Sequence, residues 1–510
     1  MSGYVPNIPK AQREAELKNV KPVDTHGEHW AQYEKYGTKP APTPPKNQIS
    51  LRIGVFFDGT GNNASNSALG ALCGAQNPVR AEDLDASCKP YMSDPDSSYG
   101  NDITNIRKLS EIYKDDQILA NTGSKNQISR VLYIYGVGTK PGQKDSLLGS
   151  GTGRGSTGVE GCVQNAFVRI KELLNDIAIE NSGHEISFLT FDAFGFSRGA
   201  AAARHFANEI VRGKQGPLGP ALQNNAKVFG PYFLGTYSHD INMGFIGLFD
   251  TVASVAGVSN LGNVSSAITP GINLRLPSRY FRNVVHLVAR DEYRANFALS
   301  SVSPEHTEIT LPGAHSDIGG GYLAEAQECV LVSPMQALTV RQGVDIKNTS
   351  IYQEALRAKA KMINQGWPAK MLEIVTPPPK PLPRDPQDRL APQLQRVFVG
   401  LQLKRPVRGE LSRVYLQVMY ELAKQKGVPF EDLDTNAPAH VTPDDLQSIA
   451  SRFVAGDYST TDTDESLLKE RYIHLSAHWN NPLGKTTNQG LKLVYINAPT
   501  TDGVRLLHPH

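Results

Sequence analysis

Gly195-Phe196-Ser197-Arg198-Gly199 is the only G-x-S-x-G in the chain; it follows an apolar run, 186–191, and opens a helix of small residues, Ala200-Ala201-Ala202-Ala203. A strand, a sharp turn and a helix in that order present a serine hydroxyl on a strained corner, where it can attack a carbonyl carbon. The glycines at 195 and 199 permit the close backbone approach around that corner, and the helix N-terminus offers N–H groups to a developing oxyanion. The competing reading is a glycine-rich turn whose serine merely caps the helix. Serine at its ordinary pKa is a poor nucleophile, so the chemistry needs a histidine base and an acid that orients it.

In this context the expected chain order is serine, acid, histidine. Asp250 ends the apolar run 241–250, at the carboxyl end of a predicted strand, where open parallel sheets collect their catalytic groups. A turn or N-cap aspartate is the plainer reading. Asp192 lies inside the strand that leads to Ser197, and Asp317 is too near the candidate histidine to belong to a separate strand end. For the base, His315 stands in the glycine-lined stretch 311–322 (LPGAHSDIGGGY), after the short strand-like segment 307–311. His286 falls within an apolar strand, where a hydrogen-bonded core histidine is the default, and His205 sits on the helix after the corner. His474 and His478 are the serious rivals. His315 and Asp317 read as a metal pair lack a third ligand, and no metal or other cofactor is expected.

The second oxyanion donor, beside the N–H of Arg198, is expected from the loop Asp58-Gly59-Thr60-Gly61 after the first strand, from Gly59 or Thr60, with Asp58 bracing the loop. Gly153 to Gly158 satisfies G-x-G-x-x-G, but the preceding strand ends near Gly138, too far away for the tight turn of a dinucleotide site. The stretch 149–158 is expected to be a mobile loop near the site.

The elements that must position these residues are legible as apolar runs that stop at glycine: 52–58, 130–138 (RVLYIYGVG), 186–195, 241–250 and 283–290. Helical patterns lie between them, at 159–179 and 198–211. Continuous apolar strands alternating with helices predict an α/β fold, a mainly parallel sheet covered on both faces. After about Tyr322 the pattern turns helical. Leu411, Val414, Tyr415, Val418, Met419 and Leu422 make one stripe closed by Gly427, and Thr442-Pro443 signals a second helix start. The proline run 376–383 reads as a stiff linker between sheet and helices, and 491–496 as a strand returning to the sheet. Four regions result: a polar, Pro-rich arm 1–50, a catalytic core 51–325, a mostly helical segment 326–465, and a C-terminal segment 466–510.

Lys and Arg total 52 against 50 Asp and Glu in 510 residues, a net charge of +2, which argues against nucleic acid as a partner. Cys73, Cys88, Cys162 and Cys329 are too scattered for a disulfide scaffold, and a bridge between Cys73 and Cys88 cannot be decided from spacing. The N-terminus has no apolar core of a secretory signal, and the uncharged stretch 251–274 is too interrupted by Ser, Asn, Gly and Pro to span a membrane. Lying directly after Asp250, it is expected to cover the pocket as a lid or apolar wall.

FFDGTGNN at 56–63, FGFSRGAAAARHFAN at 194–208, GLFDTVAS at 247–254 and PGAHSDIGGGY at 312–322 together resemble the α/β-hydrolase domain of type VI secretion lipase effectors, of the first, G-x-S-x-G-bearing Tle family. The resemblance implies Ser197 as nucleophile, Asp250 as acid and His315 as base. It also implies acyl-ester hydrolysis of membrane glycerophospholipids by an antibacterial phospholipase without an obligatory cofactor. The partners implied are a VgrG-type spike and a cognate immunity protein, with synthesis in the producer cytoplasm and delivery into the target-cell periplasm. A soluble carboxylesterase or thioesterase, or a non-catalytic binding module on the same fold, are the alternatives.

Overall fold

The computed structural model describes residues 47–116, 127–145, 158–180, 184–253, 271–383, 392–480 and 497–509. Six strands form the central sheet in the order β2-β1-β3-β4-β5-β7. They are β1 (Asn47–Phe57), β2 (Gln127–Ile134), β3 (His184–Phe196), β4 (Ile241–Phe249), β5 (Val284–Ala289) and β7 (Thr307–Leu311), with the two-residue β6 (Leu299–Ser300) lying off the sheet. The pairings β1 to β2, β3 to β4, β4 to β5 and β5 to β7 are all parallel. The strands are apolar on both faces because both are covered, as the glycine-terminated runs predicted.

One face packs against α3 (Val159–Glu180) and α4 (Arg198–Val211), through residues such as Phe167, Ile170, Ala203 and Phe206. Preceding them in the chain are α1 (Ala64–Leu72) and α2 (Asn105–Ile112), and after α4 come α5 (Gly219–Asn224) and α6 (His315–Gly319). The other face is covered by α2 and by helices from far down the chain. Val414, Val418 and Met419 share one core with Phe194, Phe245 and Phe249 of the strands. Each such fully buried side chain contributes about 1.5–3 kcal/mol.

The helices after residue 410 therefore complete the sheet instead of forming a core of their own. They are α8 (Leu411–Lys424), α9 (Gln447–Val454) and α10 (Asp462–Arg471), following α7 (Ser350–Asn364). Gly427, with φ +77°, closes α8 as its position suggested, and Val428 N–H returns to Ala423. Thr442 does not cap the next helix. Its hydroxyl accepts from Gln417, and a single 3-10 turn, Asp444–Leu446, precedes α9.

The first half of the expected helical segment differs. Besides α7 it holds an antiparallel sheet of β8 (Ala326–Leu331), β9 (Gln336–Arg341), β10 (Leu372–Val375), β11 (Lys380–Pro381) and β12 (Leu394–Val407), all paired to the long β12. The proline run 376–383 thus joins two strands of this sheet rather than linking sheet to helices. These strands escape notice because β8 and β9 are short and half-exposed, and Pro381 and Pro406 argue against strand where they stand. Cys73 and Cys88 form a disulfide, with Cys73 buried beside Met92 and Tyr99 and Cys88 partly buried. The arm through residue 46, most of the loop 149–158, most of 251–274 and the run 491–496 lie outside the described residues. No helix among the described residues is long and apolar enough to cross a membrane.

Candidate active site

Ser197 follows β3 directly and stands at the N-cap position of α4 with φ 58° and ψ −123°, a conformation that a residue with a Cβ rarely adopts. Its side chain makes no capping hydrogen bond, so the strain is not explained by helix capping. The corner is held by backbone alone. Ser197 N–H donates to Phe249 O at 3.0 Å, and its carbonyl accepts from Ala200, Ala201 and Val252 N–H. Gly195 and Gly199 are needed for space, since a Cβ at Gly195 would come 2.3 Å from the Gly199 carbonyl oxygen. One at Gly199 would come 2.3 Å from the carbonyl oxygens of Phe57 and Asp58.

The bonds to Phe249 and Val252 set the corner beside Asp250, which directly follows β4 and also has positive φ, 42°. Asp250 is fully buried, and its Oδ2 accepts from His315 Nδ1 at 2.5 Å. His315 opens α6, and its ring packs on that of Phe196, the residue before the serine, with centroids 4.6 Å apart. The Phe196 ring also lies against Gly59 and Gly319, where a Cβ would come 2.5 Å and 2.2 Å from it. One aromatic ring thus joins the three loops that carry Thr60, Ser197 and His315.

Burial lowers the pKa of His315, against the upward pull of Asp250. Burial also disfavours a charged Asp250, but Arg505 and His315 outweigh it and hold the carboxyl well below its usual range. Neutral imidazole beside an ionised carboxylate is the state a general base requires. With Nδ1–H donated to Asp250, Nε2 is left to accept a proton.

The rival residues are engaged elsewhere. Asp192 is bound by Arg52, at 2.7 and 2.9 Å, and by the Tyr113 hydroxyl. His286 Nε2 accepts from Thr251 N–H at 3.0 Å while Nδ1 faces Glu308 at 3.0 Å, so it is the satisfied core histidine expected of its strand. His205 Nδ1 accepts from Asn273 N–H. His474 Nδ1 meets Asp317 at 2.7 Å, its N–H donates to the same carboxylate, and its ring stacks on Tyr322 at 3.7 Å. His478 lies beside Asn480 and Asn497. Asp317 also accepts from Ala314 N–H, so the Asp317 and His474 pair braces the turn that carries His315.

In the loop after β1, Asp58 accepts from Gly59 N–H and the Thr104 hydroxyl, both at 2.7 Å, and from the Tyr133 hydroxyl. Asp58 is thus the brace, and it occupies the Gly59 N–H. Thr60 carries a buried hydroxyl with no hydrogen-bond partner. An orphaned buried donor is costly unless a ligand satisfies it. No sequence signal marks that hydroxyl, because its isolation depends on residues from other elements.

Two further groups escape sequence reasoning. Glu292 bonds Arg294, Ser476 and the His315 N–H; burial opposes its charge, but Arg294 leads the groups that bring its pKa down to about 2. Arg505, 255 positions from Asp250, donates to both of its oxygens. Among the described residues, no group of three or more His, Cys, Asp or Glu is arranged to hold a metal ion.

Comparison with known proteins agrees with the motifs. Residues 219–341, which include Asp250 and His315, match the family model described as type VI secretion system phospholipase effector Tle1-like, catalytic domain. The structure of a Tle1 effector bound to the VgrG spike of the type 6 secretion system aligns over 94% of this chain and 97% of that one, at 26% identity and a TM-score of 0.71. An uncharacterized protein from Pseudomonas aeruginosa aligns over 91% of this chain and 56% of its own, at 18% identity and a TM-score of 0.39. No curated protein matches. The chain is similar over nearly its whole length to a Tle1 effector, with the α/β-hydrolase-like sheet that the resemblance implied.

Proposed function

We propose that the chain is a phospholipase of the A type, a serine hydrolase that cleaves acyl esters of membrane glycerophospholipids. His315 Nε2 takes the Ser197 proton, Ser197 Oγ attacks the ester carbonyl, and the alcohol leaves with the proton from His315. Water, deprotonated by the same imidazole, then releases the fatty acid and restores the serine. Asp250 holds the tautomer that leaves Nε2 free. Arg198 N–H and Thr60 receive the oxyanion; the orphaned Thr60 hydroxyl favours Thr60 over Gly59, whose N–H already serves Asp58.

The observation that carries the proposal is the strained, non-capping Ser197 at the strand end next to the Asp250 and His315 pair. The Tle1 relative is bound to a VgrG spike, which supports a spike of that type as carrier here, with a cognate immunity protein protecting the producer. Action in the target-cell periplasm is supported by the disulfide between Cys73 and Cys88, since such bonds persist in oxidising compartments.

The test is labelling with a fluorophosphonate and product analysis on vesicles of a defined phospholipid, for wild type and Ser197→Ala. Labelled wild type releasing fatty acid and lysophospholipid, with an inert variant of unchanged fold, is expected. Equal hydrolysis by both proteins would remove Ser197 from the mechanism. Expression behind a periplasmic leader should be more toxic than cytoplasmic expression, and Ser197→Ala should be harmless in both.

A further inference from the structure

The C-terminal tail reaches the acid of the triad, on whose assignment this inference rests. Backbone hydrogen bonds stitch the tail beside 293–301: Ala295 N–H to Ala498 O, Thr500 N–H to Tyr293 O, Leu299 N–H to Leu506 O and Ser301 N–H to His508 O. Leu507 and His508 pair in parallel with β6 as a short β13 (Leu507–His508). From this strip the Arg505 side chain, 8% exposed, turns inward. Its Nη1 donates to Asp250 Oδ1 at 2.7 Å, its Nη2 to Oδ2 at 2.8 Å, and its Nε to Phe297 O at 2.7 Å.

We propose that Arg505 is a positioning residue, a guanidinium that the C-terminal tail sets on Asp250 to lock the carboxylate toward His315 and to share its negative charge. Asp250 accepts four hydrogen bonds, from Ala289 N–H at 2.9 Å, from His315 and twice from Arg505. A carboxylate gripped across both oxygens by a planar fork cannot rotate about its Cβ–Cγ bond, so Oδ2 stays where the imidazole needs it. The four backbone bonds already fasten the tail. A staple alone would not need the one carboxylate that faces His315.

The other charges around His315 are already paired. Glu292, after β5, is bound by Arg294 at 3.0 and 2.8 Å. Asp317, on α6 itself, is engaged by His474 beside Tyr322, and Glu308 on β7 by His286 of β5. His478 lies on the segment that follows His474, and burial lowers its pKa. Beside the Glu292 and Arg294 pair, whose charges also act on His315, Asp250 and Arg505 form the pair in direct contact with the ring at Nδ1. Without the guanidinium the full carboxylate charge faces His315, and the imidazolium is favoured to higher pH.

The test uses the full-length chain as wild type, Arg505→Gln and Arg505→Lys. Active sites are counted with a fluorophosphonate, and kcat and KM are measured on a soluble short-chain ester across the pH range. For Arg505→Gln, kcat per labelled site should fall about 10- to 100-fold with KM little changed. The acid limb of kcat/KM should move up by about one pH unit. Arg505→Lys, which keeps the charge but not the fork, should return the limb to the wild-type position while kcat stays several-fold low. An unmoved limb and wild-type kcat per labelled site in Arg505→Gln would make Arg505 a staple only and overturn the proposal. If Arg505→Gln yields no folded protein, wild-type kcat per labelled site in Arg505→Lys overturns it, and a several-fold loss supports it. A wild type that neither labels nor turns over points instead to failure of the triad reading.

Discussion

Replacing Asp250 by asparagine tests the catalytic and the structural role of one carboxylate separately. Oδ1 accepts from Ala289 N–H and Arg505 Nη1, and Oδ2 from His315 Nδ1 and Arg505 Nη2. An amide NH2 placed at either oxygen therefore faces donors. The Ala289 amide and the guanidinium cannot become acceptors, but an imidazole can, by moving its proton from Nδ1 to Nε2. The amide group should settle on the Oδ2 side, His315 should adopt the wrong tautomer, and Nε2 can no longer take the serine proton. Loss of kcat by about 10⁴ is expected, close to 5.5 kcal/mol of transition-state stabilisation. Stability should fall separately, by about 3–5 kcal/mol, because Arg505 is left as a buried cation without its counter-charge. Adding Arg505→Met removes that cation, so Asp250→Asn/Arg505→Met should recover most of the stability and none of the activity. Turnover of a soluble ester and urea denaturation read the two effects. A single variant within tenfold of wild-type kcat, or activity that returns together with stability in the double variant, would refute the reasoning.

His474→Ala should keep kcat within about threefold of wild type while lowering stability by roughly 1–3 kcal/mol, since Asp317 loses a buried partner; a urea melt and an ester assay check both. Thr60→Val, nearly isosteric, should lower kcat about 10- to 100-fold with little change in KM, and an unaffected kcat removes its hydroxyl from the oxyanion site. Burial opposes the charge of Glu292 and Glu308, but Arg294 at the first and His286 at the second bring both down to about 2, below the ordinary 4.5 of a glutamate. A depressed carboxyl stabilises the fold above its unfolded pKa and loses that contribution as pH falls, so stability should drop between pH 4.5 and about 2. Glu292→Gln should flatten that drop in pH-dependent denaturation, and an unchanged slope would contradict the assignment.

The central strands and the serine corner were legible because each is written in contiguous residues, whereas the order of the strands across the sheet was not. A buried parallel strand needs apolar residues on both faces, and a strained corner packed against its neighbours needs glycines within two positions of the serine. Asp250 was legible for a related reason, as an acid that ends an apolar run at the edge where the loops gather. In the antiparallel sheet the strands β8 to β11 that pair with the long β12 were hidden because they are short and little buried, so neither periodicity nor propensity marks them. The helices after residue 410 showed their apolar stripe but not its destination, the second face of the sheet.

From sequence alone came the candidate groups and their order along the chain: a serine on a corner, then an acid, then His315 as base with His474 and His478 as rivals. Which histidine meets Asp250 was decided only in three dimensions, where His315 packs on Phe196 and His474 is taken by Asp317. The isolation of the Thr60 hydroxyl and the grip of Arg505 on Asp250 belong to the same class. Each depends on chain segments far apart in sequence, and no local pattern encodes such a meeting. The free energy that enforces it comes from burial shared by the whole core.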